Sequence, residues 1–222
     1  MSTSCACRTA RDHVFVPLVD ILRCTRPHAD TWLVASIDRA DGRYIVDGVL
    51  GCPTCLAEYP IRNGIAFFSP PRSWAAQMQP DETSAVRVAA ALDLTDARMT
   101  AVLHGSWGVH GQLIVGVSPS QLLLLNPPDE VVVGDGVSGV VSEVAPLAAG
   151  SVSAAAIDTT MTPTLLESLR RSLRAGGRLL GPTVLAVPGG FTELARDADV
   201  WVARLDAAVT ESAPIPLTRR GG

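Results

Sequence analysis

The chain carries two pairs of residues that are typical metal ligands. Cys24 and His28 form a Cys-x3-His pair, and Cys52 and Cys55 form a Cys-x2-Cys pair, with 23 residues between the pairs. Thiolate and imidazole are the ligands that tetrahedral zinc prefers, and four of them make a closed structural site without an open catalytic position. We therefore predict one structural zinc ion held by these four residues. A module this small buries little apolar surface, so a metal would stabilise its fold.

The two remaining cysteines, Cys5 and Cys7, leave alternatives open. Either could complete the site in place of His28, which would then be a solvated loop histidine, or the site could have lost its metal. All five cysteines lie in the first quarter of the chain. An odd and clustered set, behind a start that has no apolar signal region, favours metal binding over a disulfide framework.

A second group of candidate residues follows two predicted buried strands. Residues 99–103 lead into a glycine-rich turn, and residues 122–125 are followed by Asn126. The turn has the sequence His104-Gly105-Ser106-Trp107-Gly108. A parallel crossover needs about a dozen residues, which is why we place the second strand at residues 122–125.

Other polar residues in this half are weaker candidates. His104 and His110 resemble a catalytic pair, but a histidine at a strand end is more often hydrogen-bonded structure. Residues 158–160 follow a third predicted strand, residues 153–157, and are candidates for substrate contact by position alone. No nucleophile elbow and no phosphate-binding loop is present in the sequence.

Composition and charge restrict the classes of function. The formal net charge is -4, whereas tight sequence-independent binding to nucleic acid needs a dense basic surface. No apolar run reaches the 18 or so residues that span a bilayer. The sequence therefore predicts a cytoplasmic protein that binds neither membrane nor nucleic acid.

The order of the predicted elements indicates two units. Residues 14–70 contain short β-type runs separated by Asp-Gly turns at residues 41–42 and 47–48. Residues 71–81 are a predicted linker, and we expect a substantial interface between the units that it joins. Residues 82–206 alternate helix and strand. The predicted class is α/β, with a small β-rich zinc-ribbon-like module followed by a Rossmann-like, mostly parallel sheet.

Within the second unit, the helices are the clearest elements. Asp81 is a predicted cap for a helix over residues 82–93, with Val86 and Leu92 on its apolar side. Thr162 and Pro163 are typical of a helix start, and Gly176-Gly177 of a helix end. A strand is predicted after it, over residues 178–187.

The first unit resembles the zinc-ribbon methyltransferase-activator family, which comprises the activator subunit of eukaryotic tRNA methyltransferases and short bacterial relatives. The resemblance rests on residues 18–24, 48–55 and 59–65, and the Tyr-Pro-Ile-x-x-Gly-Ile tail is its most specific part. The family usually opens with a second Cys-x2-Cys pair, whereas this chain has Cys24 and Pro27 at those spacings. The resemblance implies a module that docks on, or stabilises, a methyltransferase-fold partner or a larger assembly.

The second unit is similar to class I S-adenosylmethionine-dependent methyltransferases. The similarity rests on residues 94–108, which take the place of that family's first motif, and on residues 165–180, which match its late helix, Gly-Gly turn and strand. It implies a cofactor site at residues His104, Gly105, Trp107, Gly108 and Asn126. The family's acid at the end of the first strand is His104 here, and its ribose-binding acid is Asn126, or Ser118 if residues 113–117 are aligned as the second strand. We therefore expect weak or no S-adenosylmethionine binding.

Three functions follow from these expectations. The leading hypothesis is a non-catalytic interaction or scaffolding subunit. The rival is an active methyltransferase whose ribbon acts as activator or substrate clamp, and a third hypothesis gives the pocket another small ligand. An open, polar pocket beside His104 and Asn126 would favour an enzyme, and a pocket filled by Trp107 would favour a scaffold.

Overall fold

The computed structural model describes residues 14–71, 74–76, 78–134 and 136–206, so Cys5 and Cys7 lie outside the described residues. In these residues, helices flank a sheet of twelve strands. The helices are α1 (Val16–Val19), α2 (Glu82–Ala91), α3 (Gly111–Val117) and α4 (Pro163–Ser172), with a 3-10 helix over Gly105–His110. The strands are β1 (Val14–Phe15), β2 (Val34–Asp41), β3 (Tyr44–Gly51), β4 (Glu58–Arg62), β5 (Ile65–Phe67), β6 (Thr100–His104), β7 (Gln121–Leu125), β8 (Val137–Val141), β9 (Val152–Ala156), β10 (Leu173–Pro182), β11 (Phe191–Arg196) and β12 (Val200–Leu205).

The N-terminal hairpins continue directly into the larger sheet. Strands β2 to β5 pair antiparallel in sequence order. Strand β5 then pairs in parallel with β8, with Ile65 opposite Gly139 and Phe67 opposite Val141. A Cβ at position 139 would lie only 2.8 Å from Ile65 Cγ1, so glycine allows the two strands to meet. The ribbon-like part and the α/β part therefore share one sheet.

The larger part of the sheet has the strand order β8-β7-β6-β9-β10-β12-β11. The first five strands run parallel, and β12 runs antiparallel to both of its neighbours. The order reverses between β6 and β9, because the chain moves outward from β6 to β8 and then returns to the other side of β6. This arrangement confirms the predicted Rossmann-like, mostly parallel α/β class.

The central strands are buried on both faces, as their mostly apolar sequences predict. Alternate side chains enter two separate cores. Val102 and Leu123 belong to the core that α4 covers, and Leu103 and Leu124 belong to the core under α2 and α3. The first of these cores extends into the ribbon-like part, where Tyr59 is buried.

Both predicted helix starts are present. The Asp81 carboxylate accepts hydrogen bonds from the backbone N–H groups of Thr83 and Ser84, at 3.0 and 3.2 Å. The Thr162 hydroxyl accepts one from the N–H of Leu165 at 3.2 Å. These side chains satisfy N–H groups that have no partner inside the helix.

Several predicted boundaries are wrong. Helix α4 ends at Ser172, because residues 173–182 already form β10. Gly176-Gly177 lies in a bulge of that strand, where the pairing with β9 shifts register, and is not a helix end. In α2, Leu92 is buried as predicted, but Val86 is exposed and Val88 is buried in its place.

The predicted Asp47-Gly48 turn is also wrong, since both residues lie inside β3. Glycine is needed there for space, because a Cβ at position 48 would collide with the carbonyl oxygen of Ser36 on β2. Asp47 instead accepts hydrogen bonds from the guanidinium of Arg39 and from the backbone N–H of Asn63. No helix within the described ranges is long and apolar enough to cross a membrane.

Candidate functional site

The four predicted metal ligands lie together at one end of the ribbon-like part. Cys52 directly follows β3, and Cys55 lies in the tight turn behind it. Cys24 and His28 come from the segment before β2. The ligand atoms of all four residues lie within 4.8 Å of one another.

The distances between these atoms suit a tetrahedral ion. Cys24 Sγ lies 3.6 Å from Cys55 Sγ, and His28 Nε2 lies 3.1 Å from Cys24 Sγ and 3.4 Å from Cys52 Sγ. A tetrahedral zinc with Zn–S bonds of about 2.3 Å separates its sulfurs by roughly 3.8 Å. The cluster is thus slightly tighter than a loaded site, and its donors are of the type and number that zinc takes.

Two groups outside the cluster orient its donors. His28 Nδ1 lies 2.7 Å from the carbonyl oxygen of Ala29, which fixes the proton on Nδ1 and leaves the Nε2 lone pair facing the sulfurs. The hydroxyl of Tyr59 lies 3.1 Å from Cys24 Sγ. Partners of this kind set ligand orientation and basicity in metal sites.

The thiols are partly prepared for ionisation. Burial opposes ionisation of Cys24, but hydrogen bonds, chiefly from Tyr59, lower the pKa of its thiol. Burial also opposes ionisation of Cys52, and the backbone N–H groups of Cys55 and Thr54 lower its pKa. For Cys55, a backbone hydrogen bond at Ala57 favours the thiolate, but burial and the two neighbouring thiols raise the pKa. Because a third thiolate beside the other two is unfavourable, the cluster favours a bound cation.

The second candidate site is a cavity of about 830 Å³ at the carboxyl edge of the parallel strands. Its wall includes His104 from the end of β6, Asn126 from the end of β7 and Thr160 after β9. The volume is in the range of small-molecule pockets. The cavity also lies beside the reversal of strand order, where doubly wound sheets place their ligands.

Asn126 is engaged by the backbone of the next strand. Its Nδ2 donates to the carbonyl oxygen of Ser142 at 2.9 Å, and its Oδ1 accepts from the N–H of Ser142 at 2.8 Å. Its own backbone has a φ of 52°, which asparagine tolerates better than most residues. The side chain therefore holds the ends of β7 and β8 together. Aspartate could not make both bonds, since its carboxylate has no hydrogen to donate.

His104 forms a buried pair with Asp158. The His104 Nδ1 lies 3.1 Å from Asp158 Oδ1, and both side chains are at least nine-tenths buried. The backbone N–H of Ser106 donates to Oδ2 at 2.7 Å, while the N–H and hydroxyl of Thr160 donate to Oδ1 at 2.9 and 2.6 Å. Burial opposes ionisation, but the His104 ring and these donors outweigh it and hold the pKa of Asp158 far below its usual range.

Residues 105–108 of the glycine-rich turn are not among the residues that line this cavity. Gly105 has a φ of +61°, and a Cβ there would collide with the Asp158 carboxylate. Trp107 is buried in the core under α2, and its Nε1 donates to the carbonyl oxygen of Ile157 at 2.9 Å. Gly108 packs near Pro127 and Leu124. Contact of these three residues with a cofactor stays a prediction.

Trp107 does not line the cavity beside His104. It borders a different cavity, of about 700 Å³, together with His110. Burial lowers the pKa of His110, against the opposing effect of Asp81. His104 and His110 thus line separate cavities.

Sequence reasoning singled out residues 158–160 only by position and did not connect Asp158 with His104. It also missed Tyr59 and Ser142 as partners of site residues. The signal for Asp158 was its place two residues after the mostly apolar strand β9, but the pairing of β6 with β9 was needed to bring the two side chains together.

No family model matches the chain, and no curated protein matches it. Solved structures of methyltransferases resemble part of it. Geranyl diphosphate methyltransferase in complex with SAM has 16% identity and a TM-score of 0.37, over 45% of this chain and 48% of that chain. An RNA methyltransferase from Salinibacter ruber in complex with S-adenosyl-L-homocysteine has 12% identity and a TM-score of 0.41, over 60% of this chain and 97% of that chain. This chain thus spans about half of the geranyl diphosphate enzyme.

Proposed function

We propose that this chain is a zinc-bound protein of methyltransferase-like fold that works by binding a partner protein and does not transfer methyl groups from S-adenosylmethionine. The observation that carries the proposal is Asn126, whose side chain is bonded on both sides to the backbone of Ser142. At this strand end the resemblance to methyltransferases implies a carboxylate that binds ribose. In this chain the residue at that position is uncharged, and its side chain already holds the ends of β7 and β8 together.

The proposed zinc ion follows from the donor set. Cys24, Cys52, Cys55 and His28 supply three sulfurs and one imidazole nitrogen at mutual distances suited to a tetrahedral ion. Zinc would supply no chemistry here, since four protein ligands leave no open position. We expect one zinc per chain by metal analysis of native protein. Protein without stoichiometric zinc or iron would contradict this part of the proposal.

The exposed face near the metal cluster supports a protein partner. Trp32 is 67% exposed and Leu56 is 81% exposed. Val34 and Ile37 of β2 are also exposed, and within the described residues β2 pairs on one side only, with β3. Such an edge with large apolar side chains is a surface that proteins normally cover. The partner we propose is a methyltransferase or a larger assembly that contains one, in the cytoplasm.

A second candidate function is favoured by one observation. The cavity beside His104 and Asn126 is open, and Trp107 does not enter it. An open, polar pocket is what we expect of a methyltransferase with an unconventional cofactor site, and the lining residues of this cavity include the polar residues Ser142 and Thr160. The missing carboxylate argues against it, because losing one charge-assisted hydrogen bond costs about 1.5 to 3 kcal/mol, or roughly ten- to a hundredfold in affinity.

Calorimetry with S-adenosylmethionine on metal-analysed protein separates the two candidates. We expect no binding in the micromolar range. A micromolar Kd that is lost in Val144→Trp, which fills the cavity wall, and kept in Val117→Trp, at an exposed position away from it, would establish the methyltransferase candidate instead.

Partner binding has its own matched control. Val34 and Val117 are both 58% exposed, but only Val34 lies on the β2 edge. Once a partner has been identified from native complexes and purified, Val34→Ser should weaken its binding to the purified chain and Val117→Ser should not. Equal affinity of both variants would place the interface elsewhere and remove the support given by the edge.

A further inference from the structure

The three cysteines of the proposed zinc site differ in their exposure to solvent. Cys52 is buried, Cys24 is half-buried and Cys55 is exposed. The backbone N–H groups of Thr54 and Cys55 bond to the sulfur of Cys52, which also lies 3.4 Å from His28 Nε2. The thiolate is the form of cysteine that oxidants attack, and exposed thiolates are attacked first. A small oxidant dissolved in water therefore meets the sulfur of Cys55 before that of Cys52.

The exposed sulfur of Cys55 has a second cysteine within reach. Its Sγ lies 3.6 Å from the Sγ of Cys24, although the two residues are 31 positions apart in the chain. A disulfide holds its sulfurs about 2 Å apart. Cys55 lies in an exposed turn, where rotation of its side chain can shorten the separation. The geometry thus favours Cys24 as the partner of Cys55 and leaves Cys52 as a buried thiol.

A disulfide between Cys24 and Cys55 would join the same two segments that zinc would join. Cys24 belongs to the segment before β2, and Cys55 belongs to the turn after β3. The N–H of Cys24 donates to the carbonyl oxygen of Thr31 at 3.1 Å, directly before the exposed Trp32. Leu56, which is also exposed, directly follows Cys55. The disulfide would therefore keep in place the two large apolar side chains of the proposed partner surface.

We propose that Cys24 and Cys55 form an oxidation site for peroxides, at which a disulfide replaces the zinc ion as the link between these segments. With hydrogen peroxide, the Cys55 thiolate attacks one oxygen, becomes a sulfenic acid and releases hydroxide as the O–O bond breaks. The Cys24 thiolate then attacks the Cys55 sulfur, forms the S–S bond and expels a second hydroxide. Two electrons pass from the sulfurs to the peroxide. Zinc leaves, because His28 and Cys52 supply only two of its four ligands.

This inference rests on the zinc site of the proposed function and adds a form of regulation to it. A chain that meets peroxide gives up its metal and keeps the segments beside the β2 edge tied together. A chain that loses its metal to a chelator while its thiols stay reduced has no such link. The two metal-free forms should therefore differ in stability, since a disulfide constrains the unfolded chain.

Treatment of the zinc-loaded full chain with hydrogen peroxide tests the inference. A chelating dye should record the release of one zinc per chain, and mass spectrometry should record the loss of two hydrogens relative to reduced, zinc-free protein. Digestion with trypsin separates the possible disulfides, because Cys24 lies in the tryptic peptide 24–39 and both Cys52 and Cys55 lie in peptide 44–62. We expect these two peptides to be joined, with Cys55 as the linked residue in the fragment spectra.

The control variant, with Cys5→Ser and Cys7→Ser together, removes the two cysteines that are not proposed as zinc ligands. It should release zinc at the same rate and give the same joined peptides. A thiol reductant with added zinc should restore the metal content of the oxidised protein. Oxidised, zinc-free protein should unfold at a higher temperature than reduced protein in chelator. Equal unfolding temperatures would contradict the claim that the disulfide replaces the metal as a link.

Other results would overturn the pairing itself. They are a disulfide within peptide 44–62, a disulfide that includes Cys5 or Cys7, release of zinc without any disulfide, and retention of zinc under peroxide. Metal analysis before the addition of peroxide tests the proposed zinc separately. A chain isolated without zinc would contradict that part of the proposed function, and the disulfides formed in the same chain would still decide whether Cys24 pairs with Cys55.

Discussion

At the scale of single residues, the structure explains why the carboxyl edge lacks the acid that the resemblance to methyltransferases implies. Asn126 needs one donor and one acceptor to hold Ser142, and only an amide side chain of this length offers both. His104 likewise faces an aspartate, so an acid at position 104 would place two carboxylates together. Both departures from the methyltransferase pattern are therefore local requirements of this fold.

Asn126→Asp is predicted to destabilise the protein by about 1 to 3 kcal/mol at neutral pH, because the carboxylate would face the Ser142 carbonyl without a hydrogen between them. The folded state would favour the protonated acid, so its pKa would be raised and the deficit would shrink as the pH falls below that value. Urea unfolding at two pH values checks this. Asn63→Asp is the control, since Asn63 is exposed and also has positive φ. Equal losses of unfolding free energy in the two variants would show that the hydrogen bonds to Ser142 do not contribute to stability.

Tyr59→Phe is predicted to weaken zinc affinity roughly ten- to a hundredfold, the usual effect of losing a partner of a metal ligand. The change removes the hydroxyl beside Cys24 Sγ and keeps the stacking of the ring on Phe68, whose centroid lies 4.4 Å away. Competition with a chelating dye measures the affinity. Tyr44→Phe also loses a hydroxyl, one that accepts from the N–H of Gly136, and should keep full affinity. An unchanged Kd in Tyr59→Phe would contradict the role given to the hydroxyl.

The ionisation of Asp158 determines part of how the stability of the protein depends on pH. Its pKa is depressed in the folded protein, so its contribution is complete above the unfolded pKa of about 3.9 and is lost as the pH falls through the folded value. Asp158→Asn should therefore be less stable near neutral pH and show a flatter decline below about pH 4. Thermal unfolding across this range tests it, with the exposed Asp20→Asn as control. A variant as steeply acid-sensitive as the unsubstituted protein would disprove the assignment.

At the scale of elements, the sequence predicts those whose pattern is set locally. Capped helices α2 and α4 and the mostly apolar strands β6, β7 and β9 are of this kind. Strand β8 was missed because Ser138 and Gly139 interrupt its apolar sequence, and glycine is required at position 139 by β5, which is far away in the sequence. Strand β11 was missed because five of its six residues are exposed, so it has no buried face to produce alternation. The four residues of the proposed metal site could be named from their spacing, but the place of Asp158 beside His104 depends on the pairing of β6 with β9.

Gly139→Ala is predicted to destabilise the junction between β5 and β8 by about 1 to 3 kcal/mol, because the new methyl group would force Ile65 aside. Cleavage within residues 71–81 under limited proteolysis should become faster. Gly116→Ala is the matched control, since its Cβ would meet nothing within 4 Å. Two soluble fragments that separate after cleavage of the unsubstituted protein would show that this junction contributes little.

At the scale of the whole molecule, the proposed metal site is connected to the large sheet through continuous strands and a shared core. The ligand Cys52 follows β3, and β3 leads through β4 and β5 into the parallel strands. The core that contains Cys52 also contains Leu123 and Trp201 of the α/β part. Loss of the proposed metal should therefore destabilise the α/β part as well as the ribbon-like part.

Cys52→Ser is predicted to lower stability far more than Cys5→Ser, because structural zinc contributes directly to folding, with binding free energies of roughly 10 kcal/mol or more in small modules. Thermal unfolding with and without chelator measures both variants. In Cys52→Ser the chelator should have little further effect. Equal effects of the two substitutions would mean that the ligands are assigned incorrectly.

The junction of β5 and β8 also has a consequence during synthesis. Ile65 pairs with Gly139, roughly 70 residues later in the chain, and pairings this distant form late. The ribbon-like part leaves the ribosome first and can take up its metal while β5 still has an unpaired edge. Unpaired edges of this kind are where nascent chains associate wrongly. Early metal uptake would keep β3 and β4 in place during that interval, so zinc supply during synthesis should influence the yield of soluble protein in addition to the stability of the finished fold.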